Sequence, residues 1–230
     1  MRMALRWLLT GVLAGAVGTV FASGMGMHSM PTQQPQQQMH PESPAQKAVE
    51  LYNQGVRLTH KADDASKSAA GSADPDKKAK TARDAQEKYT SARKQFEQAV
   101  QVDPSNPDAW NYLGYTNRKL GSYDAALTAY GKALALKPGF PQALEYRGEA
   151  YLGLSHLPDA KQAYLDLYAT NRAEAQKLLD AMHAWVTAQR ATPGGPSAGT
   201  DEFDKWIQER EQIAHATAAL TRAGTAAAWR

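Results

Sequence analysis

The sequence predicts an all-α protein, a helical-repeat solenoid of about three helix pairs, the first of them elongated, followed by C-terminal capping helices. Ala, Leu, Lys, Gln and Glu dominate the chain after residue 44, and alternating strand patterns are missing there. Proline-containing breaks recur at a fixed distance: Pro104 and Pro138 are 34 positions apart, and so are Pro107 and Pro141. A period of this size indicates stacked helix pairs.

Residues 1–22 have the features of a secretory signal peptide. Arg2 and Arg6 precede an apolar run of about 15 residues, Trp7–Phe21, which small residues follow. The run is shorter than the ~20 residues that a membrane-spanning helix needs, so we expect cleavage near Ala22 rather than an uncleaved anchor, and no stable membrane insertion. No Cys follows the run, which excludes a lipoprotein. The pattern predicts a periplasmic or secreted protein.

Residues 23–44 are predicted to be a disordered Gln/Pro/Met linker, because they show no apolar period and are rich in Gln and Pro. A cluster of thioether and imidazole groups in this linker resembles the soft ligands that select copper. Its members are Met25, Met27, His28 and Met30, with Met39 and His40 nearby. A chance cluster in a low-complexity linker is the alternative, so no cofactor is predicted.

The clearest repeat unit begins with Pro107, a residue suited to a first helical turn, after Asn106, a good N-cap. Its spacing resembles the tetratricopeptide repeat (TPR), a family of stacked helix pairs. The matching positions are Trp110, Leu113, Gly114, Gly121, Tyr123, Ala126, Tyr130, Ala133, Leu134, Leu136 and Pro138. Asn117 departs from the pattern, since the family usually has Tyr there. With the signal peptide, the resemblance implies an exported bacterial protein of this family.

The following unit resembles the same repeat, although Arg147 replaces the usual Leu and no Pro closes the unit. Its matching positions are Ala143, Leu144, Gly148, Ala150, Tyr151, Ala160 and Tyr164. We expect Gly114 and Gly148 where the two helices of a unit cross closely, with Ala126 and Ala160 opposite them. In this interpretation a small residue meets a small residue.

The first unit is predicted to be elongated. Gly55 and Ala92 match the repeat positions of Gly114 and Ala126, but 37 positions separate the first two and 12 the second two, which leaves about 25 additional residues. We expect an antiparallel helical hairpin extended by about 12 residues per arm, or ~18 Å. Its predicted seam is Ala62, Ala65 and Ala69 against Ala79, Ala82 and Ala85. A loop over residues 65–78 is the alternative.

The C-terminal part is predicted to cap the repeats. The TPR domain with its capping helix is expected to span residues 45–190, and residues 191–200 form a Gly/Pro linker. Residues 201–230 then form an amphipathic helix and tail. The apolar residues on one side of that helix are Phe203, Trp206, Ile207, Ile213 and Leu220. The helix either folds back onto the repeats or binds another chain, and Phe203 and Trp206 are the candidates for self-association.

Composition gives little support to catalysis or nucleic-acid binding. The chain has no Cys, no HExxH, no GxSxG and no glycine-rich phosphate loop, and its His residues lack metal-ligand spacing. Removal of Arg2 and Arg6 reduces the basic residues from 26 to 24 against 23 acidic ones, a net charge of about +1. We therefore expect neither an enzyme nor a nucleic-acid partner.

Protein binding is the function that the resemblance implies, on the concave face formed by the first helices of the units. The groove positions carried over from the family are Asp108, Asn111, Tyr115, Arg118, Lys119, Gln142, Glu145, Glu149 and Leu152. Tyr115 is expected to offer an exposed aromatic face. The Lys, Asn and Arg set that clamps a C-terminal carboxylate in some relatives is missing, and Glu145 with Glu149 would repel an acidic tail. We expect a basic or neutral protein or peptide partner.

Two other functions fit the same sequence. The first is copper handling through the Met/His segment, and the second is a structural role as a subunit of a larger envelope assembly. The primary prediction remains a non-catalytic scaffold or adaptor in the periplasm.

Overall fold

A computed structural model describes residues 43–194 and 198–227. The predicted signal peptide, nearly all of the predicted linker and the candidate copper ligands lie outside this range. The described residues form helices without strands: α1 Pro44–Ala70, α2 Pro75–Val102, α3 Pro107–Lys119, α4 Tyr123–Leu136, α5 Pro141–Gly153, α6 Leu157–Thr170, α7 Arg172–Arg190 and α8 Thr200–Ala227. The all-α prediction is confirmed. Within this part of the chain, no helix is long and apolar enough to cross a membrane.

Proline and polar caps define where several helices begin. Ser43 and Gln46 form a capping box before α1, Asp74 accepts hydrogen bonds from the first backbone N–H groups of α2, and Asn106 does the same for α3. A proline occupies the first turn of each of these helices, where its missing N–H leaves no donor unpaired. Sequence alone therefore predicted the starts of α2 and α3.

The first pair is elongated, as predicted. Helices α1 and α2 have 27 and 28 residues, whereas α3 to α6 have 13 or 14, and the loop alternative over 65–78 is wrong because only residues 71–74 separate the two helices. The seam is partly different from the prediction. Ala62, Ala69 and Ala85 are buried, but Ala79 and Ala82 are exposed. Tyr89 fills the seam instead, because its large ring spans the two helices.

Successive helices pack against one another along the chain, and the first helix α3 also contacts the first helices α1 and α5 on its two sides. Helix α7 packs against both α5 and α6 and covers the end of the last pair. The buried residues of α6 and α7 form one core cluster with two residues of α8. This arrangement matches the predicted solenoid with capping helices.

The glycines of the first helices allow the close approach of a large side chain. A Cβ atom at Gly114 would lie 2.5 Å from the buried Tyr130 ring, and one at Gly55 would lie 2.6 Å from the Phe96 ring. At Gly148 the neighbour is Leu178 of α7. The atoms nearest to these glycines thus belong to large side chains, which the interpretation of small residues meeting small residues did not include.

Helix α8 packs onto α7 and encloses Phe203, one of the two residues predicted for self-association. Phe203 and Ile207 are fully buried in the core cluster of α6 and α7, and Trp206 is half-buried beside Tyr164. Arg190 of α7 pairs with Asp204 of α8 at 2.9 Å. The apolar residues at the start of α8 therefore contribute to the core of this chain.

Candidate functional site

The first helices of the repeats line a groove of about 550 Å³, which we call the first-helix groove. Helix α1 contributes Tyr52, Thr59, His60 and Asp63, and helix α3 contributes Asp108, Asn111, Tyr112 and Tyr115. Lys137, Phe140, Gln142 and Tyr146 complete the lining from α5 and the segment before it. Three first helices therefore build one surface, as expected for a solenoid whose repeats stack side by side.

Asn111 is one of the residues that line this groove. The residue is only 5% exposed, and its Oδ1 atom has no hydrogen-bond partner among the described residues. A buried polar atom without a partner costs free energy, so such atoms in native proteins call for a specific explanation. A ligand that places a donor beside Asn111 would satisfy this acceptor.

Asp63 joins the elongated arm of α1 to the repeats. Tyr115 of α3 donates a hydrogen bond to Asp63 Oδ1 at 2.7 Å, and Tyr89 of α2 donates to the same oxygen. Burial, together with this hydrogen bond, raises the pKa of Tyr89 to about 12. Burial and Asp63 also raise the pKa of Tyr115 far above its ordinary value. Both phenols therefore keep their protons and remain donors at physiological pH.

A second network lies beside the groove and involves Arg118 and Glu149. Arg118 Nη1 forms an ion pair with Glu149 Oε2, and the guanidinium lies 5.2 Å from the ring centroids of both Tyr115 and Tyr146. This position combines charge pairing with cation–π attraction. The Lys119 ammonium lies 5.6 Å from the Tyr89 ring, and burial beside Arg118 lowers its pKa.

Comparison with known protein families identifies the repeat from which these helices are built. The family model described as "Tetratricopeptide repeat" matches residues 78–143 and 117–175. These residues are tetratricopeptide repeats. The match begins inside α2, so α1 lies outside the matched residues. The repeats predicted from the spacing around Trp110 and Gly148 are confirmed.

A curated protein and a solved structure are similar to parts of this chain. The PEX5-related protein of Rattus norvegicus is 36% identical over 68 residues, which is 30% of this chain and 11% of the relative, so this chain matches about a tenth of that protein's length. A solved structure described as "First TPR of Spaghetti (RPAP3) bound to HSP90 peptide SRMEEVD" is 22% identical. It covers 63% of this chain and 98% of its own, with a TM-score of 0.46.

The repeats place the residues predicted for the groove in three different environments. Asp108, Asn111, Tyr115 and Gln142 line the first-helix groove. Arg118, Lys119, Glu145 and Glu149 belong to the charged network beside it. Leu152 lies in the buried core with α6 and α7, so its prediction as a groove residue is wrong.

Tyr115 also differs from the prediction of an exposed face. It is half-buried, its hydroxyl is engaged by Asp63, and its ring packs against Tyr89 and Tyr146. Helix α1 continues beyond the length of an ordinary repeat helix. Its additional turns carry Asp63, which contacts Tyr115 and reduces the exposure of this tyrosine.

The contribution of α1 was missing from the predicted site. Aligning Leu51 with Trp110 and Gly55 with Gly114 places Tyr52 at the position of Asn111, so the register of the first unit contained this signal. Two further lining residues, Tyr112 and Tyr146, are 34 positions apart, which is the repeat period. Asp63 gave no such signal, because it lies beyond the length of a normal repeat helix.

Glu145 is 4% exposed and approaches Glu149. Burial, together with a hydrogen bond to Glu149, raises the pKa of Glu145 to about 9, so this carboxyl donates its proton to Glu149 at neutral pH. In the unfolded chain, the pKa of Glu145 has its ordinary value of 4.5. Because the folded state holds a proton that the unfolded state has lost, stability falls as pH rises between these two values.

We predict that Glu145→Gln removes this loss, since an amide donates to Glu149 at every pH. The variant should match the parent chain near pH 4 and exceed its free energy of unfolding by about 1–3 kcal/mol at pH 8. Urea unfolding at several pH values measures the difference. The exposed Glu87→Gln of α2 is the control and should give no difference that grows with pH. The prediction would be contradicted if Glu145→Gln raised the free energy of unfolding by the same amount at pH 4 and at pH 8.

Proposed function

We propose that this protein is a non-catalytic scaffold or adaptor that binds an extended segment of another protein in the first-helix groove. The observation that carries the proposal is the buried, unpartnered Oδ1 atom of Asn111 in a groove that three helices line. An extended peptide presents backbone N–H groups along its length, and one of them supplies the missing donor. Stacked helix pairs commonly use such surfaces for binding.

The other groove residues are suited to holding a ligand. Burial raises the pKa of Tyr52 and of Tyr146 to about 12. These phenols keep their protons and offer a hydroxyl together with a large apolar surface, a combination that is frequent in protein-binding sites. Asp63 and Asp108 line the same groove and repel an acidic segment. A basic or neutral partner therefore fits the groove best.

The N-terminal pattern supports a location outside the cytoplasm for this binding function. Arg2, Arg6 and the apolar run that follows favour export, and we propose that the protein acts in the periplasm of a bacterium or outside the cell. N-terminal sequencing of the exported chain tests the proposal, because a chain that retains Met1 contradicts it.

A groove-blocking substitution tests the binding proposal. Gln142 is exposed and lines the groove, so Gln142→Trp fills part of the groove without disturbing the core. Nine-residue peptides selected from a random displayed library on the full chain should lose at least about tenfold in affinity on this variant, measured by fluorescence anisotropy, because their backbone no longer reaches Asn111. Gln162→Trp is the matched control, since Gln162 is exposed on the second helix α6.

Two results would contradict the proposal. One is a set of selected peptides that bind both tryptophan variants as well as the parent chain, which would place their site elsewhere. The other is a library from which no peptide is enriched. Circular dichroism of all three chains excludes a difference in folding as the cause.

A further inference from the structure

The first-helix groove presents hydrogen-bond acceptors that receive no donor from the part of the chain that the structure describes. Asp63 uses its Oδ1 atom for the two tyrosines, and no hydrogen bond within the described residues engages its Oδ2 atom. Asp108 is exposed at the rim of the groove. Asn111 adds its buried Oδ1 atom. Three side chains from two helices thus offer acceptors toward one space, which favours a ligand with several donors and a positive charge.

Aromatic rings surround these acceptors. Tyr52 and Tyr112 lie 5.8 Å apart at an interplanar angle of 77°, so the groove exposes ring surfaces in two orientations. Tyr115 and Tyr146 lie 5.1 Å apart on the other side. The face of an aromatic ring attracts a cation, and the attraction increases where water is partly excluded. The rings and the acceptors therefore both favour a ligand that carries a positive charge.

The basic groups near the groove leave Asp63 and Asp108 available. Lys137 lies over the Phe140 ring at 4.2 Å at one edge, and Arg118 pairs with Glu149. Lys119 lies over Tyr89, and His60 lines the groove from α1. Across residues 43–194 and 198–227, neither Asp63 nor Asp108 forms an ion pair with a basic side chain within 4 Å, whereas pairs within that limit occur at several other carboxylates.

We propose that the groove accepts an arginine side chain of the extended partner segment, with its guanidinium between Asp63, Asn111 and the tyrosine rings. This inference rests on the proposed function. Arginine fits better than lysine, because a planar guanidinium has five donors in fixed directions and stacks on aromatic rings, whereas an ammonium is a compact, strongly hydrated charge. Arg118 already uses this combination within the chain, since it pairs with Glu149 while lying over Tyr115 and Tyr146.

The test uses the groove-dependent peptides selected on the full chain, which we expect to be enriched in arginine. Each arginine is replaced in turn by citrulline, a neutral residue of the same shape, and by lysine. On the parent chain we expect citrulline at the bound position to weaken affinity at least about tenfold and lysine about three- to tenfold. Fluorescence anisotropy measures each dissociation constant, with the selected arginine peptides as the probes.

Substitutions in the protein then identify which carboxylate interacts with the bound arginine. Asp63→Asn keeps an acceptor oxygen for Tyr89 and Tyr115, and it should reduce the arginine-to-citrulline ratio to within about threefold. Asp64→Asn is the matched control, because Asp64 is the adjacent, exposed residue of α1, and it should leave the ratio unchanged. Asp108→Asn gives a second reading if the first variant is unstable. Its control is Asp124→Asn, which also lies in the first turn of a helix.

The outcomes separate this inference from the proposed function. Peptides that lose affinity on Gln142→Trp but show no arginine dependence would leave groove binding standing and overturn the arginine site. An arginine-to-citrulline ratio that is the same on Asp63→Asn, Asp108→Asn and the parent chain would overturn it as well. Peptides insensitive to Gln142→Trp would overturn both proposals.

Discussion

Phe203→Ala is expected to lower the free energy of unfolding by about 3–5 kcal/mol, the range for a large aromatic residue removed from a core. Phe203 is fully buried, and its ring lies 5.8 Å from Trp185 at 87° and stacks on Trp206 at 6.2 Å. The Lys161 ammonium lies 5.5 Å from the same ring. Truncation leaves a cavity between α7 and α8 that these rigid neighbours fill poorly. Urea unfolding followed by circular dichroism measures the loss.

Ile213→Ala on the same helix is the control. Ile213 is 43% exposed, so its truncation should change stability by less than about 1 kcal/mol. The comparison also decides what α8 does. If Phe203→Ala left stability unchanged and lowered the mass in sedimentation equilibrium, the ring would belong to a contact between copies, and its place in the core would be wrong.

Gly114→Ala should also lower the free energy of unfolding, by a net amount of up to about 2 kcal/mol. Its Cβ atom would lie 2.5 Å from a Tyr130 ring that is itself fully buried, so either the ring or α3 must move. Overpacking of this kind costs about 1–3 kcal/mol, and it opposes the gain of up to about 1 kcal/mol that alanine brings to a helix interior. Thermal and urea unfolding of the variant measure the net change.

Gly131→Ala is the matched control in α4. A Cβ atom at Gly131 meets nothing within 4 Å, so only the helical preference of alanine acts, and the free energy of unfolding should rise by about 0.5–1 kcal/mol. The two substitutions are chemically identical and should have opposite signs. Equal effects would show that the close approach of Tyr130 to α3 does not constrain the fold.

The candidate site could be predicted only in part. The repeat period identified the helix that carries Asp108 and Asn111, and both residues line the first-helix groove. The same period placed Leu152 on this surface, yet α7 covers it and makes it part of the core. A repeat aligns positions within each unit, but the last unit has a different neighbour. The environment of its residues therefore depends on the capping helix.

Asp63 shows the same limit at the other end of the array. Its partner Tyr115 is 52 positions away in the chain, and the two side chains meet only because α1 continues past the length of a repeat helix. Hydrophobic period and capping residues are local, and they report how long a helix is. They do not report which side chain of a neighbouring helix lies beside its last turns.

By itself, the sequence determined the all-helical class, the 34-residue period, the starts of the helices at Pro75 and Pro107 and the elongation of the first pair. Each of these follows from local rules, because helical preference, capping and the spacing of apolar residues act over a few turns. Only the tertiary structure decided that the Tyr130 ring lies against Gly114, that Phe203 is enclosed, and that the buried Asn111 Oδ1 atom has no partner among the described residues. Those outcomes depend on which helices meet and at what depth, since burial and hydrogen-bond partners are set by contacts between residues far apart in the chain.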